Sequence, residues 1–487
     1  MQIYRELIKY LIVIVLYFLG CRVTSSAVSI VPVIFGMVAV IRNRIWFAYS
    51  MMALLLFTVI INPLIVPKES ILFVLSVRVG VLLMAISITG LSLSKNSGRK
   101  LPMALMLCYM GVAVISSAGG WAPIISYIKF VNFSVFFLAL WTGMGTLGKI
   151  QDLVKLRGFF GALIAFAILA SVALIPFPGV SCLNAMHVMR ATGDYFAADE
   201  MFANKSFFDN SLYCGITYQS QTLGPLMAVS VVYLLVDMAF FCKKVSFAHL
   251  GLMLLALPVL YKTRSRVALV SLVSGVGCAG FLILRSFKLP VKVRMAMRKM
   301  MIGGCLALTI LMIVLEVKED AISRYVRKND AADVDNRSLG EAFVSSRMGA
   351  VEMNLHDFME NPLFGTGFQV WEKHRLIKRG SLADYFSAPI EKGVLPVMVL
   401  GETGLIGALV FAGFVLCFYA KCLQFGYAAS MSIMTAFLFA NLGEAIFFSP
   451  GAVGGLEWLF FAVGGFAIDK ITIFTAGNER WRLGYGR

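Results

Sequence analysis

About fourteen apolar runs follow one another along nearly the whole sequence, and this succession constrains the fold more than any other feature. A helix needs about 20 apolar residues to cross a hydrocarbon core about 30 Å thick. The runs show no period-2 alternation, which favours helices over a transmembrane barrel. They occupy residues 7–19, 28–41, 45–66, 71–93, 102–117, 124–143, 159–175, 223–241, 250–261, 267–284, 300–315, 394–419, 428–447 and 456–473.

Composition excludes a soluble protein. With 59% hydrophobic and 14% charged residues, the 487-residue chain is too apolar for a soluble globular fold. We predict an all-α fold, a polytopic integral membrane helical bundle with about 14 transmembrane helices, within a range of 12–14. Because no soluble domain boundary or internal repeat is visible, residues 1–487 are interpreted as a single membrane domain.

Basic residues fall in alternate connections between the runs and therefore on one side of the membrane. The positive-inside rule makes that side cytoplasmic, and both termini are expected to lie there. The net charge of +17 is explained by this topology and by contact with anionic lipid, so nucleic acid is not an expected partner. The residues are Arg5, Lys9, Arg42, Arg44, Lys95, Arg99, Lys100, Lys149, Lys155, Arg157, Lys243, Lys244, Arg285, Lys288, Lys292, Arg294, Arg298, Lys299, Arg480, Arg482 and Arg487.

Two long connections are predicted on the extracytoplasmic side, an outer loop at residues 176–222 and a charged polar insert at residues 318–392. A capping box at Ser338 and Glu341 predicts an amphipathic helix that ends before Pro362. The apolar stripe of this helix is expected to pack onto the membrane domain. It consists of Val344, Met348, Val351, Leu355 and Phe358.

A short turn on the same predicted outer side carries three cations, Lys262, Arg264 and Arg266. The positive-inside rule disfavours cations there, so a local reason is needed. A phosphate group at headgroup depth is one reason, because guanidinium groups bind phosphate oxygens bidentately where water is scarce. Headgroup contact without a further function is the alternative.

These residues resemble the O-antigen ligase and Wzy-type polysaccharide polymerase family over roughly residues 213–412. Thr263-Arg264-Ser265-Arg266 is similar to the family's Ser-Arg element. Residues 347–368 resemble its arginine, amphipathic helix and Pro-Leu-x-Gly-x-Gly element, and Glu402-Thr403-Gly404-Leu405-Ile406-Gly407 resembles the Glu-x-Gly-Leu-x-Gly element that opens the next membrane helix. Gln221-Thr222-Leu223-Gly224 stands where the family often has a small polar pair before Leu-Gly.

The resemblance implies a metal-independent glycosyltransferase of the bacterial inner membrane that needs no cofactor. The implied donor is a glycan on undecaprenyl diphosphate, and the acceptor is a glycan or a lipid-linked core; membrane lipid and other polysaccharide-assembly proteins are further candidate partners. Arg266 and Arg347 are the candidate clamp for the diphosphate, with Arg264, Gln221 and Glu402 as binding residues. The products would be exopolysaccharide, capsule or O-antigen.

The candidate base departs from the family, whose ligases have a histidine shortly before the Glu-x-Gly element. This chain has Glu391-Lys392 near that position. Glu391 can serve as base if partial burial raises its pKa, and Lys392 can bind phosphate or shift that pKa. His374, the nearest imidazole, follows a charged stretch and is interpreted as solvated. The missing histidine favours a polymerase over a ligase.

Several alternatives stay open. Arg78 and Lys129 lie within or at the end of apolar runs, where they either bind the lipid diphosphate or pair with Glu402, Glu444, Glu457 or Asp237. Cys182 and Cys214 are either bonded or two free thiols. Asp333 and Asp335 imitate a metal-binding Asp-x-Asp, but no metal site is predicted. A lipid-linked oligosaccharide flippase and a non-catalytic glycan-binding relative are the competing functions.

Overall fold

The computed structural model describes residues 2–24, 27–62, 65–66, 71–92, 100–177, 213–240, 246–285, 339–370, 393–443, 445–451 and 453–482. Within these ranges the chain is helical, and the one bridge of β type pairs Ile61 with Thr217. The all-α class predicted from the apolar runs is confirmed.

The helices are numbered here in chain order. They are α1 (Gln2–Val23), α2 (Ile30–Ile41), α3 (Ile45–Ile60), α4 (Ile71–Ser92), α5 (Lys100–Ala118), α6 (Pro123–Thr146), α7 (Ile150–Ala173), α8 (Ser220–Phe240), α9 (Phe247–Lys262), α10 (Arg266–Arg285), α11 (Leu339–Glu360), α12 (Leu395–Phe425), α13 (Ala428–Ala440), α14 (Val453–Leu459) and α15 (Phe466–Arg482). A π-helical segment, Phe460–Gly465, joins α14 to α15.

Seven described segments are long and apolar enough to cross a membrane, which makes the chain a membrane protein by length and composition. They are Leu101–Ala118, Pro123–Thr146, Ile150–Ala173, Ser220–Phe240, Arg266–Ile283, Leu395–Phe425 and Val453–Thr475. Five shorter apolar helices are Ile30–Ile41, Ile45–Ile60, Val79–Ser92, Phe247–Lys262 and Ala428–Ala440. The count of about 14 spans stays a prediction, and the run at residues 300–315 lies outside the described residues.

Close packing, rather than a difference in hydrophobicity, holds this bundle together, because lipid tails are as apolar as leucine. Gly275 on α10 lets two neighbouring helices approach, since a Cβ there would lie 2.7 Å from Val232 of α8 and 2.8 Å from Ala436 of α13. Ser271 Oγ donates a hydrogen bond to the Ala436 carbonyl at 2.7 Å in the same interface. Helix α8 is consequently enclosed along most of its length.

A buried polar cluster ties α7, α8 and α9 together. Arg157 on α7 donates two hydrogen bonds to the Asp237 carboxylate on α8, one of them at 2.7 Å from Nη2. His249 on α9 places Nε2 2.9 Å from the same carboxylate and Nδ1 2.8 Å from Ser246 Oγ. All four side chains are buried.

This cluster corrects two expectations from the sequence. Arg157 is predicted as a cation in a cytoplasmic connection, but α7 begins at Ile150 and Arg157 is only 3% exposed. Asp237 is considered as a partner for Lys129, but Arg157 and His249 bind Asp237, and Lys129 donates to the Gln369 carbonyl. The physical reason is that a buried carboxylate needs cations and hydrogen-bond donors from every side, which α7 and α9 supply here.

Candidate functional site

The Gly-rich turn, defined as residues 361–370, is locked into an interruption of helix α12. Gly404 adopts φ 63° and ψ −169° within this otherwise continuous helix. The two backbone N–H groups that follow it bond to the turn, from Leu405 to the Pro362 carbonyl at 2.8 Å and from Ile406 to the Leu363 carbonyl at 3.3 Å. Two carbonyls of the turn thus replace the carbonyls that an unbroken helix would supply as acceptors.

Hydrogen bonds also run in the opposite direction, from the turn to α12. The Thr366 N–H bonds to the Gly401 carbonyl at 3.0 Å, and the Gly367 N–H bonds to the Glu402 carbonyl at 3.2 Å. Gly365 has φ +73°, and a Cβ there would collide with the backbone of Glu402. The glycines of both motif elements are therefore explained by one backbone-to-backbone contact.

Helices α5 and α6 close the Gly-rich turn from its other side. The Trp121 N–H bonds to the Thr366 carbonyl at 3.0 Å, and Ser126 Oγ donates to the Phe368 carbonyl at 2.7 Å. Ser116 Oγ donates to the Glu402 carbonyl. The sequence interpretation missed these residues, although the small polar string at 116–121 between two apolar runs was a signal for them.

Lys129 belongs to this assembly. Its Nζ donates to the Gln369 carbonyl at 3.1 Å and so holds the end of the Gly-rich turn against α6. Gln369 has a positive φ of 54°, which makes its carbonyl orientation dependent on such a support. Glu402 lies in α12, two residues before the interruption at Gly404, and it is fully buried.

A second assembly joins the cationic turn to the start of α8. A Cβ at Gly224 would lie 2.6 Å from the Cβ of Ser265, so the two backbones are in close contact. The Tyr213 N–H bonds to the Lys262 carbonyl at 3.1 Å. Gln221, in the first turn of α8, is therefore placed beside the segment that carries Arg264 and Arg266.

The cationic turn is held in a defined shape. Arg264 adopts φ 50°, and the Ser265 N–H bonds to Thr263 Oγ1 at 3.3 Å. Thr263 and Ser265 are buried, whereas Arg264 and Arg266 are half-buried. The threonine and serine thus fix the backbone while the two arginines stay partly accessible. Tyr213, whose backbone N–H bonds to the Lys262 carbonyl, is buried, and this burial raises the pKa of its hydroxyl.

The two assemblies are connected through the start of α12. Val267, next to Arg266, contacts Gly443, and the Leu395 N–H bonds to the Asn441 carbonyl at 2.9 Å. At the same end of α12, a Cβ at Gly393 would lie 2.8 Å from the Cβ of Ala350 on α11.

Position 347 precedes Ala350 by one turn of α11. A short path of contacts therefore links the elements that carry Arg266 and Arg347. The structure describes the backbone at 347, and its side chain lies outside the described part of the chain.

Helix α11 is present where the sequence predicts an amphipathic helix, and it ends two residues before Pro362. Its orientation corrects the expectation for the apolar stripe. The side toward α12 is polar, with Asn354 2% and Asp357 4% exposed, whereas Leu355 is 43% and Met359 74% exposed. The reason is steric, because the Asn354 backbone packs directly on Gly401, where a bulky side chain has no room.

Asn354 and Asp357 lie toward α12, and the exposed side carries Leu355 and Met359 together with Glu352 and Glu360.

Several predicted residues lie outside the described residues and have no structural account. Arg78 stands on α4, with its side chain outside the described part. Glu391, Lys392, His374, Cys182, Glu444, Asp333 and Asp335 are not among the described residues either. Cys214 is disulfide-bonded. Within the described ranges, no group of three or more His, Cys, Asp or Glu side chains forms a metal-binding cluster.

Comparisons with known proteins leave the sequence and the geometry as the guides to function. No family model and no curated protein matches this chain.

Proposed function

We propose that this chain is an inner-membrane glycosyltransferase that moves a glycan from undecaprenyl diphosphate to a sugar hydroxyl during exopolysaccharide, capsule or O-antigen synthesis. The supporting observation is the interlock between the Gly-rich turn and the interrupted helix α12, which joins the two motif elements that resemble the O-antigen ligase and Wzy-type polymerase family. Two elements far apart in sequence are held in register by four backbone hydrogen bonds. A polymerase is favoured over a ligase because the family histidine is missing.

The chemistry needs few protein groups, since the diphosphate leaving group already activates the donor. Cations must hold the diphosphate, and a base must take the proton of the acceptor hydroxyl. The half-buried Arg264 and Arg266 suit the first task because their partly desolvated position strengthens attraction to phosphate. Arg347 is the proposed second arm of this clamp, and Glu391 is the proposed base.

A location outside the cytoplasm is proposed for this site. The disulfide at Cys214 supports it, because such bonds persist in oxidising compartments and are rare in the cytosol. Cys214 adjoins Tyr213, whose backbone bonds to the cationic turn. The disulfide and the arginines therefore share one side of the bundle, as the positive-inside topology requires. Both termini are proposed to lie on the opposite, cytoplasmic side.

The test is an assay with the full chain in lipid nanodiscs and a glycan on undecaprenyl diphosphate. Longer glycan and released undecaprenyl diphosphate are expected together. Arg266→Ala, Arg347→Ala and Glu391→Gln should each abolish both products while the protein remains in the membrane. Arg42→Ala is the matched control, because Arg42 is an exposed arginine outside the proposed site, and it should retain full activity. Full activity of the arginine variants would remove the clamp from the proposal.

A flippase is the competing function, since interrupted helices line substrate sites in many transporters. The interruption in α12 differs from such sites in one respect. Its new N-terminal N–H groups, at Leu405 and Ile406, are taken by carbonyls of the Gly-rich turn. They do not offer an open anion site. Movement of lipid-linked glycan across vesicles without any longer glycan would nevertheless establish the transporter.

A further inference from the structure

Two acidic residues lie on the last helical segments of the bundle, and their surroundings are opposite. Asp469 on α15 accepts hydrogen bonds from the Ala429 N–H at 2.8 Å and the Ser430 N–H at 2.9 Å, at the start of α13. Glu457 on α14 is fully buried at 0% exposure. Both of its carboxyl oxygens lack a hydrogen-bond partner in the described part of the chain.

No cation among the described residues forms a hydrogen bond or ion pair with Glu457. The elements that pack against α14 include α3, α8 and the π-helical segment, and Trp458 also contacts rings of α6 and α13. Their titratable groups are three tyrosines, one lysine and one aspartate, each with other partners. On α6, Lys129 donates to the Gln369 carbonyl at 3.1 Å and Tyr127 to the Val114 carbonyl at 3.5 Å. Tyr49 donates to the Ala139 carbonyl at 2.7 Å, and Tyr233 to the Arg157 carbonyl at 3.5 Å. Asp237 is bound by Arg157 and His249. No Lys or Arg belongs to α3, α8, α13, α14 or the π-helical segment.

A negative charge at this place would be very costly. A buried carboxylate persists only when donors or cations compensate for the lost water, as they do at Asp469. Glu457 has neither among the described residues, so the neutral acid is the stable form inside the bundle. The π-helical segment begins three residues later, and π-helical turns recur at functional sites.

We propose that Glu457 is a proton-binding site within the membrane domain, a carboxyl group that carries its proton at neutral pH. This inference rests on burial and on the absence of donors. It therefore holds whether or not the glycosyl transfer proposal succeeds. A hydrophobic carbodiimide is a suitable probe of this site, because such a reagent enters lipid and reacts with protonated carboxyl groups.

The reaction with dicyclohexylcarbodiimide is an addition without a leaving group. The carboxyl oxygen bonds to the central carbon of the reagent, and the acid proton moves to one of its nitrogens. The acyl group then migrates from oxygen to the other nitrogen and leaves a stable N-acylurea. The modified peptide therefore gains the full mass of one reagent molecule.

The experiment treats the full chain in nanodiscs at pH 7 with this reagent and maps the adduct by peptide mass spectrometry. An adduct is expected at Glu457 and none at Asp469, which is the matched buried control. Glu457→Gln should abolish the adduct, whereas Asp469→Asn should leave it unchanged.

Infrared spectroscopy gives an independent measurement that does not depend on reagent access. The wild-type protein should show the carbonyl band of a protonated carboxylic acid, and Glu457→Gln should reduce this band by the contribution of one carboxyl group. If this band is equal in the two proteins, Glu457 is ionised and the proposal is overturned, whatever the labelling result.

Discussion

Replacing Gly404 with alanine tests whether the interruption of α12 organises the candidate site. Gly404 has φ 63° and ψ −169°, a conformation essentially restricted to glycine that costs an L-residue roughly 1–3 kcal/mol. A Cβ there would also collide with the backbone of Leu363. Relief of the collision requires the Gly-rich turn to move away, which breaks the bonds from Leu405 and Ile406.

The magnitude follows from these contacts. The two hydrogen bonds are lost on opening in both proteins, so the strain alone shifts the opening equilibrium, by about 1–3 kcal/mol in favour of the undocked turn. About 2 kcal/mol corresponds to roughly a 30-fold change in the opening equilibrium. Amide exchange at Thr366 and Gly367, whose N–H groups bond to α12, should accelerate by about that factor.

Hydrogen exchange resolved at the peptide level in nanodiscs is the appropriate assay. Gly413→Ala is the matched control, because Gly413 lies in the same helix and a Cβ there would meet only Leu105 at 3.9 Å. It should leave exchange in the turn unchanged and favour the helix by about 0.5–1 kcal/mol. If Gly404→Ala exchanges as slowly as wild type, the interlock does not depend on this glycine and the reasoning fails.

Three further predictions concern other contacts. Asp237→Asn should lower stability by about 3–5 kcal/mol, because Arg157 would be left buried without its counter-charge, and thermal unfolding should detect this against an unaffected Asp152→Asn. Gly275→Leu should destabilise the bundle by about 1–3 kcal/mol or more through overpacking against Val232, whereas Gly277→Leu, which meets open space, should be neutral in the same measurement. Burial raises the pKa of Tyr213, so its contribution to stability is complete at neutral pH and is lost as pH rises above about 10; Tyr213→Phe should reduce that alkaline loss in a pH series of unfolding midpoints.

The helical class and several element positions could be predicted because hydrophobicity alone determines them. A run of apolar residues has to satisfy its backbone internally in lipid, so residues 394–419 predict a helix and α12 (Leu395–Phe425) covers them. The same uniform apolarity hides the interruption at Gly404. A glycine in such a run is equally compatible with a straight helix, and only the docked turn reveals its conformation.

The orientation of α11 could not be predicted for a different reason. The pattern of apolar residues identifies one face of a helix, but not the medium that this face contacts. At the edge of a membrane protein, lipid competes with the protein core for apolar side chains. Leu355 is consequently exposed, while Asn354 and Asp357 face α12. The burial of Arg157 could not be predicted either, because its partner Asp237 lies 80 positions away in sequence.

The Gly-rich turn and the start of α12 also act as two anchored ends. Val370 and Gly393 are both fixed by the scaffold, so the stretch from 371 to 392, which contains Glu391, is closed at each side. For a chain closed between fixed ends, doubling its length costs only about 0.6 kcal/mol. A change in the length of this stretch therefore costs little loop-closure free energy, while the two anchors keep the bundle itself unaltered.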